Sequence, residues 1–417
     1  MFWLAVIGGV VLSWIVLVTL FTPAIDYHVR ERVPTGTADF LRMLRAHCQT
    51  TIHGGNRVDV FTNGPSFYPA MIAAIRQAQR TVNIECYIFH PGKVADEFID
   101  ALIDRAKNGV TVSLVADAIG SMWLFGKPVD KLRAAGCRVN TYQTIKWYSL
   151  ARLNNRTHRE LYIIDGRSAF IGGAGVADWW AHEHKGRPYW RDTMVRVDGP
   201  AVSSIQGVFA ENWLECCGEI LTGDSYFPPI DVEGDSTAFL VKSSPSDRAT
   251  TVRVVFQTLV EGSRHTLRIN TPYFLPDKQL RRAFCRAARR GVDIQIILPG
   301  STTDQRWVRL ASRRIYGSLL KAGVRLFEYR PAMMHCKMLI ADGEWSVIGT
   351  TNLDNRSFEH NDEVNMVTLD RDLTTRLCED FEQDLKVCEE ITLSAWQSRP
   401  LWEKALNPFV WILERQQ

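Results

Sequence analysis

Apolar positions recur along this chain with two periods, and the periods alternate in a fixed order. Arg80 to Phe89 is a run of apolar and β-branched residues of strand length. It is followed by apolar positions at helical spacing over 95–107, a stop at Asn108-Gly109, and a second apolar strand from Val110 to Val115. The same succession returns later: Leu267 to Phe274 as a strand, 277–290 as a helix, Gly291 as its stop, and Val292 to Leu298 as a strand. Tyr273 follows Tyr87 by 186 positions and Gly291 follows Gly109 by 182. Strand, helix, glycine and strand, twice over, predict an α/β protein of two similar halves with mostly parallel sheets. A third pattern lies downstream, where Met338, Ile340 and Trp345 to Ile348 read as two short buried strands turning at Asp342-Gly343.

Before the first half, Met1 to Ile25 carries no charged side chain and is mostly large and apolar, long enough to cross a hydrocarbon core of roughly 30 Å. Its start is not basic and no small-residue cleavage site follows, so the expectation is a retained transmembrane helix and not a signal peptide. Arg30, Arg32, Arg42 and Arg45 come next and predict a cytoplasmic C-terminal bulk. The expected division is 1–25 as anchor, 26–55 as connector, 56–220 as first half, 221–248 as a Pro- and Gly-containing linker, 249–395 as second half and 396–417 as an amphipathic tail.

Composition changes this picture little. The 417 residues suffice for two domain-sized units, and a net charge of +3 is too small to argue for nucleic acid. Nine scattered cysteines without C-x-x-C spacing fit a reducing compartment.

Chemistry concentrates near position 335. His335 and Lys337 are two apart and share one face of a strand, and Asn352 converges on the same end of the sheet. The trio suits a phosphate: an imidazole attacks phosphorus or moves a proton, while an ammonium and an amide stabilise negative charge.

His335-x-Lys337 with Asp342 five further on, then Gly349-Thr350-Thr351-Asn352 and the Asn361/Glu363 pair, resembles the signature of the phospholipase D superfamily. Within it, Tyr87-Ile88-Phe89, Thr271 to Asp277 and Asn352 to Phe358 are similar to bacterial cardiolipin synthases. The resemblance implies two phospholipase D-like α/β/α halves about a pseudo-twofold axis, each contributing one motif to one site. His158, 177 positions before His335, starts the first motif, which continues to Asp165 and Gly172-Gly173-Ala174-Gly175. It implies His158 as nucleophile and His335 as acid/base, the reverse being a competitor. Lys337, Asn352 and Thr350 are expected to hold phosphoryl oxygens. Asp192 and Glu363 are expected to orient the histidines, each as the partner of its own half's motif, and Asp165 and Asp342 to hold turns together. No cofactor or metal is implied. The partners implied are phospholipid substrates, phosphatidylglycerol first, and a bilayer, with single-pass placement in a bacterial inner membrane and no nucleic acid.

The first motif departs from the pattern, with Glu160 at the lysine position and Gly175 at the asparagine position. Three readings stand: a decayed half, a Glu160 paired with Arg156, Arg159 or Arg191, or a Glu160 that binds the hydroxyl of an incoming alcohol. The expected activity is transphosphatidylation, with a hydrolase, a nuclease or a membrane scaffold as alternatives. His182 and His184 alone make a poor metal site. Arg306, Arg309 and Arg313 share a helical face that is solvated or meets anionic lipid. Trp123 to Phe125, Trp147 to Leu150 and the tail from Trp396 to Ile412 are candidates for a lipid interface or for packing.

Overall fold

The computed structural model describes residues 3, 6–10, 13–14, 25–144, 155–183, 186–244 and 250–405. The first half contributes strands β1 (His53–Thr62), β2 (Thr81–Cys86), β3 (Thr111–Asp117), β4 (Arg138–Tyr142), β5 (Arg156–Thr157), β6 (Leu161–Ile164), β7 (Ser168–Gly172) and β8 (Thr193–Asp198). The second contributes β9 (Ser236–Ser243), β10 (Thr266–Asn270), β11 (Phe274–Leu275), β12 (Asp293–Pro299), β13 (Arg325–Tyr329), β14 (Met338–Ala341), β15 (Trp345–Gly349), β16 (Leu353–Asp354), β17 (Asn361–Leu369) and β18 (Cys388–Ile391). From the join outward, one half runs β1-β8-β7-β6-β2-β3-β4 and the other β9-β17-β15-β14-β10-β12-β13, with β1 paired to β9. The two orders match strand for strand, which makes the duplication structural.

Each half is mixed and not mostly parallel. The strand–helix–strand crossovers make β2-β3-β4 and β10-β12-β13 parallel. Hairpins at Asp165-Gly166 and Asp342-Gly343 make the neighbouring pairs β6-β7 and β14-β15 antiparallel. The crossover helices Lys93–Lys107 and Lys278–Arg289 stop before Gly109 and Gly291, whose φ of +86° and +95° lie in the left-handed region that glycine enters without a Cβ penalty.

Alternation along the strands divides the core. Leu161 and Ile163 of β6, with Met338 and Ile340 of β14, face a central cluster that also takes Val202, Phe209 and Trp213 of the helix Ala201–Cys217 and Leu377 and Phe381 of the helix Arg371–Leu385. Tyr162 and Ile164 point to the outer core of the first half, and Leu339 and Ala341 to that of the second. The strand ends carrying the motifs are thus clamped from both faces.

Four expectations are altered. The N-terminal transmembrane helix, and with it a membrane-anchored enzyme placed by a single pass in an inner membrane, is corrected: among the described residues no helix is long and apolar enough to cross a membrane. Absence of charge over 25 residues favours transfer to lipid but does not by itself dictate a spanning helix. The segment read as a connector joins the second half. Its helix Ala38–Cys48 buries Phe40 and Leu44 in the outer core, and the Thr35 hydroxyl donates to Asp342 at 2.5 Å. The stretch read as a linker carries β9, the strand at which the halves meet. Arg309 and Arg313 both pair with buried Glu328 and so offer no row of free cations. Trp396 packs on Gly317 and donates its indole N–H to the Arg313 carbonyl at 2.6 Å, while Trp147 to Leu150 and Phe409 to Ile412 lie outside the described residues.

Candidate active site

The two motifs meet because each strand that carries an acid pairs with the other half's motif. β5 runs beside β17, with Thr157 opposite Asp362, and the His158 backbone N–H donates to the Asp362 carbonyl at 2.9 Å. Reciprocally, Arg191 bridges Met334, and the His335 N–H donates to the Arg191 carbonyl at 2.8 Å. The residue after each contact is an acid, so the acids are exchanged between halves. Nδ1 of His158 lies 3.0 Å from Glu363, and Nδ1 of His335 lies 2.8 Å from Asp192. This corrects the expected pairing within each half. In both dyads the acid holds Nδ1 and so fixes the orientation of the ring.

Lys337 lies between the dyads. Its ammonium sits 3.0 and 3.2 Å from the nitrogens of the His335 ring and donates to the His335 carbonyl at 2.8 Å. Burial lowers its proton affinity, and the carboxylates of Asp192 and Glu363, one from each dyad, oppose that. Burial, and then the Lys337 charge, hold His335 below the usual histidine range against the pull of Asp192. Gly173 makes room for this arrangement: a Cβ there would stand 2.9 Å from the Asp192 carboxylate and 3.1 Å from the Lys337 nitrogen.

Thr350, the residue corresponding to Gly173, donates its hydroxyl to Glu363 at 2.6 Å. It therefore orients an acid, and its hydroxyl is not aimed at phosphate as expected. Asn352 is buried with its amide oxygen unpartnered. A buried polar atom without a partner costs about 1–3 kcal/mol, which a ligand donor would recover. Asp165 and Asp342 lie away from this centre. Asp165 accepts the backbone N–H groups of Gln79, Arg80 and Thr81, and Asp342 those of Arg264, His265 and Thr266, each tying its hairpin to the start of a parallel strand.

Glu160 takes none of the expected cationic partners. Arg156 pairs with Asp117, Arg159 with Glu211 and Asp362, and Arg191 with Asp384. Instead its carboxyl turns to the end of β2, accepting the N–H of Tyr87 (3.1 Å) and Ile88 (3.3 Å) and the Tyr162 hydroxyl (3.3 Å). The space it enters is the one Gly175 vacates, since a Cβ at 175 would stand 2.9 Å from the Glu160 oxygen. The two departures from the motif fit each other: the absence of a side chain at 175 leaves room for the carboxyl, which braces Tyr87, whose ring meets the His158 ring at 5.2 Å. Burial raises the Glu160 carboxyl well above its usual value. A carboxyl raised in the folded state is disfavoured by folding once pH exceeds its unfolded value. Glu160→Gln should therefore stabilise the protein at about pH 8, by about 1–2 kcal/mol, with the gain fading as pH falls toward about 4.5. Thermal melts across that range test this, and an unchanged Tm at about pH 8 contradicts it.

Sequence reasoning passed over the tryptophans beside the site and gave Asn361, although part of the motif, no role of its own. Trp180 donates its indole N–H to Asp192 at 3.1 Å, and the Trp180 and Trp190 rings lie 5.1 and 5.4 Å from that of His335. Asn361 donates to Glu363 at 3.2 Å. The signals were present: tryptophans flank Asp192, and Asn361 precedes Glu363 by two on one strand face. Among the described residues no group of three or more His, Cys, Asp or Glu could hold a metal ion, and His184 lies outside them.

The duplicated α/β fold, with two histidines and Lys337 brought together where the halves meet, belongs to the phospholipase D superfamily. A family model described as "Cardiolipin synthase, PLD-like domain" matches residues 71–213 and 257–385, and the chain belongs to this family. It is 34% identical over 383 residues to cardiolipin synthase 2 of Bacillus anthracis, covering 91% of this chain and 73% of that protein. With the major cardiolipin synthase of Bacillus subtilis it shares 31% over 380 residues, covering 90% of this chain and 79% of that one. Among solved structures, phosphatidylserine synthase of Haemophilus influenzae superposes with a TM-score of 0.67 at 12% identity, over 91% of this chain and 98% of the other, a likeness of fold alone. The protein is accordingly a phosphatidyltransferase of the cardiolipin synthase-like branch, and its substrates are phospholipids.

Proposed function

We propose that the enzyme condenses phosphatidylglycerol with a second phospholipid, most simply another phosphatidylglycerol, and releases glycerol. The observation that carries this reading is the pair of crossed dyads with Lys337 between them. Nε2 of His158 attacks phosphorus, forming an N–P bond as the P–O bond to glycerol breaks. Nε2 of His335 donates its proton to the departing oxygen. In the second step the acceptor hydroxyl returns a proton to His335 as its oxygen displaces His158. Lys337 and Asn352 hold the non-bridging oxygens, where negative charge concentrates in the transition state.

His158 suits the nucleophile's role as the more open of the two, 15% exposed against 7% for His335. Burial and the Lys337 charge disfavour the protonated form of His335. A bound phosphodiester supplies negative charge and engages the lysine, so His335 acquires its proton with substrate in place.

A bilayer surface fits the rim of the site. The loop after β3 presents Trp123, and the start of the helix Arg306–Ala322, which follows the loop after the equivalent β12, presents Trp307, each 61% exposed. The first loop is tied to Tyr87 by the Ser121 hydroxyl at 2.8 Å, and the second to Tyr273 through Asp304. Exposed tryptophan suits the headgroup region of lipid.

Incubation of the purified protein with labelled phosphatidylglycerol in mixed micelles, with and without phosphatidylethanolamine, tests the proposal. It requires a diphosphatidyl product and one glycerol per product. Phosphatidic acid as sole lipid product favours the hydrolase instead.

A further inference from the structure

A cavity of about 310 Å³ takes its lining from Trp179, His182, Arg187, Trp190, Thr303 and Asp304, among others. Its volume is that of a small-molecule site. It adjoins the reacting centre, because the Trp190 ring that walls it lies 5.4 Å from the His335 ring. Asp304, exposed at its edge, receives the Tyr273 hydroxyl, and its charge is felt by both His335 and Lys337.

The reaction itself says what belongs there. In an in-line displacement the leaving oxygen and the incoming oxygen occupy the same position, opposite the nucleophile and next to the acid/base. With His158 as nucleophile, that position is on the His335 side. Glycerol leaves from it, and the glycerol hydroxyl of the second lipid arrives at it. A carboxylate and threonine hydroxyls are acceptors for a polyol's O–H groups, and tryptophan faces cover its C–H groups. Arg187 is a donor for the phosphodiester that only the second lipid carries on that side.

We propose that this cavity is the polyol site used in both steps, with Asp304 and Thr303 holding the glycerol unit and Arg187 holding the phosphate of the acceptor lipid. The proposal rests on the phosphatidylglycerol transferase reading above and names its acceptor site. The two residues should therefore separate kinetically. Asp304 acts on any glycerol, free or lipid-bound. Arg187 distinguishes a lipid acceptor from free glycerol.

The test uses the full chain in mixed micelles of phosphatidylglycerol, measuring exchange of labelled free glycerol into the lipid beside formation of the diphosphatidyl product. Arg187→Gln should reduce product formation at least tenfold relative to glycerol exchange, through KM for the lipid acceptor, and Arg187→Lys should recover part of the difference. Asp304→Asn should raise KM for free glycerol about tenfold. Thermal melts confirm folding, and Thr303→Ala, which leaves the Asp304–Tyr273 contact in place, should raise KM for glycerol in the same direction. If the ratio of the two activities is unchanged in Arg187→Gln, or if Asp304→Asn and Thr303→Ala leave KM for glycerol unmoved or lower only kcat, the cavity is not the polyol site. If the wild type neither exchanges glycerol nor makes the diphosphatidyl product, the transferase reading itself fails, whatever the variants do.

Discussion

Asp192→Asn and Glu363→Gln should each slow turnover of phosphatidylglycerol by about 10²–10⁴, the range for acid–base groups and for the acid that orients a catalytic histidine. They should do so at different steps. Asp192 holds Nδ1 of His335, although it belongs to the first half, and Glu363 holds Nδ1 of His158, although it belongs to the second. A phosphatidyl ester of p-nitrophenol separates the two, because its leaving group departs without a proton. Asp192→Asn should recover most of the rate of nitrophenolate release on this ester, since only the general acid is impaired. Glu363→Gln should remain slow, since the nucleophile is misoriented with any leaving group. Pairing within each half, as the spacing along the chain suggested, predicts the reverse.

Lys337→Met should cost about 10²–10³ in kcat, the effect of removing one donor to a developing oxyanion, while raising stability. The buried ammonium is held below its ordinary value of 10.5. A lysine depressed in the folded state is penalised wherever the unfolded chain is protonated, so the gain is full at neutral pH and fades as pH rises toward that ordinary value. Activity and stability thus move in opposite directions, as they do where a site is strained for function. Removing the charge also frees His335 to bind a proton more readily, because Lys337 is the principal cation opposing it. In the variant the His335 resonance should titrate at higher pH than in wild type. A variant that loses both activity and stability would place Lys337 among the residues that hold the fold.

Much of this was legible in the chain. The strand–helix–glycine repeat is local, since it is set by side-chain period and by the two glycines at positive φ, so the duplication could be read directly. The closeness of His335 and Lys337 is legible because a spacing of two along extended chain fixes a common face. The destination of the acids was not, because a strand's neighbour across a pseudo-twofold axis leaves no trace in spacing: Glu363 is near His335 in sequence and bonded to His158 in space. The surroundings of Glu160 are not legible for a related reason: they depend on the missing side chain at Gly175, not on a nearby cation. β9 escaped notice in a region of prolines and glycines, although Phe239 and Val241 alternate with Leu240 between two cores.

The central claim is that histidines from two halves serve one phosphorus, His158 as nucleophile and His335 as acid and base. The most direct test is to rapid-quench the enzyme with labelled phosphatidyl-p-nitrophenol and map the covalent adduct. The expected result is label on His158 in wild type, a burst of nitrophenolate with accumulating adduct at His158 in His335→Ala, and neither burst nor adduct in His158→Ala. Label on His335, or a full burst from His158→Ala, contradicts the account.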